Sequence, residues 1–187
     1  IGMDQRNAGR SSAPVSPADG WETMRDDQLA LLDHLGVERC HVIGMCIGGP
    51  YIAGLLRTAP ERFTSAVMLQ PVGIEADGSN RPAFYEMFDR WVALQSDVHG
   101  EVDQATWNSF RGNMWDREFV LTATPDDVAA FDLPLLVAMG DDEYHPQATS
   151  RTIAATAPDV TFVESWKQGD ALTAFDPIAQ DFLAANT

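Results

Sequence analysis

A short apolar stretch, Cys40-His41-Val42-Ile43-Gly44, runs through Met45-Cys46-Ile47 straight into a mostly apolar segment, Gly48 to Thr58, which Pro60 stops. A strand that becomes a helix over so few residues needs a tight, strained turn. Glycines two residues either side of Cys46, at 44 and 48, let that turn close without side-chain clashes. This is the geometry of a nucleophile elbow, with Cys46 held up at the sheet edge. The first N–H groups of the helix and the positive end of its dipole favour thiolate there, and the N–H of Ile47 is the candidate oxyanion donor. The same residues also read as an ordinary strand-to-helix turn around a small buried cysteine, since free Cys is among the most buried residue types.

The remainder alternates in the same way. Residues 12 to 20 read as loop, and Trp21, Met24, Leu29, Leu32 and Leu35 place one face of an amphipathic helix over 21 to 35, ended by Gly36. Ser65 to Leu69 is a second buried strand, 82 to 98 a helix, and Thr124-Pro125-Asp126-Asp127 a helix start. Strands at Leu133 to Met139 and Val160 to Trp166, with helices over 147 to 157 and about 172 to 185, complete the pattern. Strands alternating with helices predict a mostly parallel α/β sheet flanked by helices. One domain is expected over 1–187, with a helical lid insert at 75–130. Phe84, Phe88, Trp91, Trp107, Phe110, Met114 and Trp115 exceed what a solvated insert requires. Some pack the lid onto the sheet, and Phe84, Phe88, Trp91, Trp107 and Trp115 are the candidates to line an apolar substrate pocket.

Composition narrows the partners. Against 12 Lys and Arg stand 28 Asp and Glu, a formal charge of −16, so phosphate and anionic headgroups are repelled and neither nucleic acid nor membrane is an expected partner. With 45% hydrophobic residues the 187-residue chain can bury a full core. Apolar runs fall short of the roughly 18 residues of a membrane span, and no signal peptide is evident, so a soluble, cytoplasmic protein is expected. Cys40 and Cys46 are too few and too close for a disulfide framework, which suits a reducing compartment.

The elbow resembles that of the α/β-hydrolase superfamily, and the resemblance runs over nearly the whole chain. Met3 to Ser11 is similar to the turn after that family's fourth strand, Trp21 to Leu35 to the helix before its elbow, and Gly140-Asp141-Asp142-Glu143-Tyr144-His145-Pro146 to its acid-bearing loop. The family's chain order of nucleophile, acid, base maps Cys46 onto the first role and Asp142 onto the second, with Asp141 and Glu143 as competitors. The resemblance also implies earlier strands, with a second oxyanion donor, ahead of Asp4. An N-terminally incomplete fold with an exposed or partner-covered sheet edge is therefore expected, the cover being a separate N-terminal segment or another copy.

One feature departs from the family. Its base is a His after the last strand, where this chain has Trp166-Lys167-Gln168-Gly169-Asp170-Ala171, and no His follows His145. A carboxylate at 170 cannot serve as an imidazole base and would raise a nearby thiol's pKa. His34 and His41 read as structural, and His99 falls in a polar turn. His145 is the best substitute because it shares the acid loop at the carboxyl edge of the sheet, while its plainer reading is a loop His that caps the helix after Pro146. The scattered His residues give no metal-ligand spacing, the Gly44 to Gly49 stretch lacks a P-loop ending, and no dinucleotide fingerprint follows, so no cofactor or metal is expected. The resemblance implies hydrolysis or acyl transfer on an ester, thioester or lactone: Cys46 attacks, Ile47 N–H holds the oxyanion, and Asp142 orients His145. The competing reading is a non-catalytic relative that binds a small apolar ligand or a protein partner, favoured by Asp170.

Overall fold

The computed structural model describes residues 1–95 and 97–187. In chain order its elements are α1 (Trp21–His34), β1 (Cys40–Met45), α2 (Gly48–Thr58), β2 (Phe63–Leu69), α3 (Arg81–Gln95), α4 (Gln104–Trp115), α5 (Pro125–Ala129), β3 (Leu135–Ala138), α6 (Gln147–Thr156), β4 (Val160–Val163) and α7 (Gly169–Ala185). The four strands are all parallel and lie across the sheet in sequence order. Parallel strands covered on both faces read as continuous apolar runs rather than alternating ones, and β3 and the second half of β2, from Ala66 on, do.

Their period of two still sorts the side chains. Ala66 and Met68 of β2 and Leu135 and Val137 of β3 face one core, filled by Ile52 and Leu56 of α2 and Ile153 of α6. Val67, Leu136 and Ala138 point the other way, where Trp166 and Phe175 complete a second core under α7. β1 is an edge strand among the described residues, and Ile43 and Met45 on it are 57% and 56% exposed.

Between β2 and β3 the chain leaves the sheet and forms α3, α4 and α5. Trp107, Phe110, Met114 and Trp115 of α4 and Phe84 and Phe88 of α3 make a third core with Trp21 of α1. Each such buried side chain contributes roughly 1.5–3 kcal/mol. Trp21 ties the insert to the base of the fold, since its Nε1 donates to Met114 O at 2.5 Å and its ring meets Trp115 edge-on at 5.6 Å. Arg117 forks onto Glu22 at 2.8 and 2.9 Å, and those hydrogen bonds hold the Glu22 carboxyl below its usual range. The helix start expected at Thr124 is a full capping box with Asp127.

Several boundaries differ from the sequence expectation for identifiable reasons. β3 starts after Pro134, which has no N–H to give a ladder. β4 ends at Val163 because the chain turns to bring Trp166 inward, where its Nε1 donates to Met139 O at 2.9 Å. The helix expected over 82 to 98 is α3, whose described part ends at Gln95; Ser96 lies outside the described residues. His99, expected in a polar turn, is buried at 6% exposure, with Nε2 3.1 Å from Asn7 Oδ1. No helix among the described residues is long and apolar enough to cross a membrane.

Candidate active site

Cys46 stands between the end of β1 and the start of α2 with φ 58°, a left-handed conformation that a non-glycine residue adopts only when its surroundings enforce it. The enforcement is visible in the backbone. Cys46 N donates to Leu69 O at 2.9 Å, and Cys46 O accepts from Gly49 N at 3.0 Å and Val72 N at 3.2 Å. A Cβ on Gly44 would lie 2.8 Å from the Gly48 backbone, so Gly44 is required as the sequence suggests. Gly48 is different: a Cβ there meets nothing within 4 Å, whereas one on Gly49 would sit 2.4 Å from Pro71 Cβ and 2.7 Å from its Cα. The second steric demand therefore falls on Gly49, set by a segment over twenty residues away in the chain.

Cys46 is half-buried and packs, as Ile47, Tyr51 and Tyr144 also do, against the insert's aromatic core. Burial pushes its pKa above the ordinary value, the Ile47 N–H pulls it back, and the charge of Asp142 adds to the rise. Desolvation thus outweighs the helix start that was expected to favour thiolate. Alkylation of Cys46 by iodoacetamide, followed on its own peptide, is accordingly expected to be slow at pH 6 and to keep climbing through pH 9, as thiolate forms. A rate that levels off below pH 8 would contradict this.

The loop after β3 carries the candidate acid. Asp142 Oδ1 meets His145 Nδ1 at 2.6 Å and accepts from the N–H of Tyr144 at 3.0 Å and of His145 at 3.1 Å. Burial alone would raise this carboxyl, but the His145 contact and the two backbone donors together hold it below its ordinary value. Of its neighbours, Asp141 pairs with Lys167, and the Glu143 residue is exposed. Asp142 is the one of the three whose carboxylate reaches an imidazole. With Nδ1–H given to a carboxylate, a neutral His145 ring has its lone pair on Nε2. That atom is buried and has no hydrogen-bond partner, and the residue is 8% exposed. His145 does not cap the following helix, whose N-cap is Pro146. Gly140 keeps the loop tight, since a Cβ there would sit 2.4 Å from His145 Cβ. Asn80 fastens the loop to the chain beyond β2, donating to both Gly73 O and Glu143 O at 2.9 Å.

The other histidines sit elsewhere. His41 Nδ1 lies 2.8 Å from Ser65 Oγ and 2.9 Å from Thr64 Oγ1 at the opposite ends of the strands, and His34 closes α1. Asp170 is exposed in the first turn of α7. Among the described residues no three His, Cys, Asp or Glu side chains converge as metal ligands.

Beneath the insert lies an apolar cavity of about 340 Å³, which reaches Ile47 next to Cys46. Phe88, Trp91 and Trp115 line it, while Phe84 and Trp107 pack into the core around it. The lining also includes Tyr51 and Met87. Both were legible, as each lies four residues along a helix from another lining position, Ile47 and Trp91 respectively. Gln5, Arg6 and Ala8 line it too, brought by a polar turn with no local signal. Burial pushes the Tyr51 phenol's pKa up, so it stays neutral.

Comparison with known proteins agrees with this fold. A family model described as alpha/beta hydrolase fold matches residues 1–105. Carboxylesterase YbfK of Bacillus subtilis (strain 168) is 26% identical over 179 residues, which cover 84% of this chain and 58% of that protein. The chain thus spans well under two thirds of that relative. Two solved structures share the fold. The meta-cleavage product hydrolase CumD of Pseudomonas fluorescens IP01 has TM-score 0.69 and 16% identity over 98% of this chain and 79% of that one. The enol-lactonase of Burkholderia xenovorans LB400 has TM-score 0.62 and 20% identity over 97% and 79%.

Proposed function

The chain belongs to the alpha/beta hydrolase fold family, and from that premise we propose that it hydrolyses, or transfers the acyl group of, a small apolar ester, thioester or lactone through Cys46. The observation that carries the proposal is the strained Cys46 with the Ile47 N–H beside its sulfur. Relatives named carboxylesterase and enol-lactonase act on such carbonyls, which supports the substrate class.

In this reading His145 Nε2, which makes no hydrogen bond to Cys46 in this structure, comes within reach of the thiol when substrate binds and takes its proton while Asp142 holds Nδ1–H, and the thiolate sulfur bonds to the carbonyl carbon. The oxyanion that forms is held by Ile47 N–H. The carbon–oxygen or carbon–sulfur bond to the leaving group then breaks, and the leaving group takes the proton back from His145. Water, deprotonated by the same imidazole, releases the acyl group from sulfur. A base is needed because burial holds the thiol protonated. The Asp142–His145 couple supplies one within the loop, in place of the missing His after β4.

The test is kinetic. His145→Gln is expected to lower kcat for an activated thioester by about 10²-fold or more at pH 7 and to leave a rate that rises with pH as thiolate forms unaided. An unchanged rate and pH profile would remove His145 from the mechanism. The second reading, a ligand-binding relative without turnover, is favoured by Asp170 standing where the family's imidazole belongs. Wild-type protein that binds an apolar ester without cleaving it would establish that reading.

A further inference from the structure

Three successive N–H groups on the stretch that follows β2 each bond to a different part of the fold. Val72 N donates to Cys46 O at 3.2 Å, Gly73 N to Tyr144 O at 3.4 Å and Ile74 N to Phe119 O at 2.8 Å. The stretch therefore joins the elbow, the loop after β3 and the insert. Asn80, in the turn before α3, closes this arrangement with its side chain. Its Nδ2 donates to Gly73 O and to Glu143 O, both at 2.9 Å, while its Oδ1 accepts from Glu75 N at 2.9 Å. The residue is 4% exposed, and only a primary amide supplies two donors and an acceptor at this size without a charge. Other polar ties of the loop lead to other elements. Gly140 N donates to Ser150 Oγ of α6 at 3.2 Å, and Asp141 pairs with Lys167.

We propose that Asn80 is a positioning residue: by holding the Glu143 carbonyl to the 72–74 stretch, it sets where Asp142 and His145 stand relative to Cys46. Glu143 and Tyr144 are the two residues between Asp142 and His145, so fixing their carbonyls fixes both members of the couple. The same stretch is bonded to the Cys46 backbone and, through Pro71, packed against Gly49. Asn80 lies outside the lining of the cavity beneath the insert, so it acts on the geometry of the reacting groups rather than on the hold of the substrate. A displacement of about 1 Å at such groups can cost about 10² in rate. The inference rests on the reading of Cys46, Asp142 and His145 as the reacting groups, and one of its two tests needs no turnover.

In Asn80→Ala, kcat for an activated thioester is expected to fall about tenfold or more with KM within about twofold, and the remaining rate to rise with pH as in His145→Gln. In the His145→Gln background the same change is expected to cost nothing further. An equal fold-loss in both backgrounds, or an unchanged pH profile, would overturn the proposal, because loss of folded protein lowers kcat without regard to His145. The second test reads the proton resonance of His145 Nδ1–H, identified by its disappearance in His145→Gln. The short bond to a carboxylate is expected to place it well downfield in wild-type protein, and Asn80→Ala to broaden or remove it through exchange with water. An unchanged resonance in folded Asn80→Ala would overturn the assignment whether or not the protein turns over an ester. Should Asn80→Ala not fold, Asn80→Asp, which keeps the acceptor for Glu75 N–H and loses both donors, is read in the same two ways. A resonance that responds as expected in a protein without turnover would support the role of Asn80 and count against the hydrolase reading alone.

Discussion

Cys46→Ala is expected to lower kcat/KM for an activated thioester by about 10³-fold or more while the protein stays folded. The substitution removes the sulfur that bonds to carbon, and Ile47 N–H and the apolar cavity then retain only binding. Ala accepts the left-handed backbone at 46 about as well as Cys does, and the residue is half-buried rather than central to a core. Stability is therefore expected to change by no more than about 1–2 kcal/mol. Steady-state turnover beside thermal unfolding of both proteins checks the pair of statements. Turnover that persists in the variant would remove Cys46 as nucleophile.

The elbow predicts an equally sharp contrast in stability. Gly49→Ala places a methyl 2.4 Å from Pro71 Cβ and 2.7 Å from Pro71 Cα, and a ring fixed to the backbone cannot turn aside. The cost is expected to be about 3 kcal/mol, the upper range for overpacking. Gly48→Ala adds the same methyl one residue earlier, where nothing lies within 4 Å. At the start of α2 it is expected to be neutral or to stabilise by up to about 1 kcal/mol, because Ala restricts the unfolded chain more than Gly does. Urea unfolding of both variants measures the difference. Equal effects at the two positions would show that the turn is not packed against Pro71.

What local sequence makes legible here is what local physics decides. The run from Cys40 into Thr58 declares a strand, a turn and a helix because hydrophobic pattern and glycine spacing act over a few residues. The Thr124–Asp127 capping box is likewise complete within four. The parallel sheet follows from alternation of strand and helix, and the Asp142–His145 couple was legible because its members lie three positions apart in one loop. Features set by distant chain were not. That Gly49 rather than Gly48 carries the steric burden depends on Pro71. The burial of His99 beside Asn7 is another such feature. The thiol's raised pKa is of the same kind: a helix start argued for thiolate, but the desolvation that prevails comes from an aromatic core gathered from α1, α3 and α4.

The most direct measurement of the central claim is the mass of the protein mixed rapidly with an activated thioester or ester and quenched in acid within the first turnovers. A species heavier by one acyl group is expected, mapped by proteolysis to the peptide holding Cys46, removed by hydroxylamine and absent from Cys46→Ala. Hydrolysis of the same ester with no acyl group ever found on Cys46, or an adduct on Cys40 alone, would contradict it.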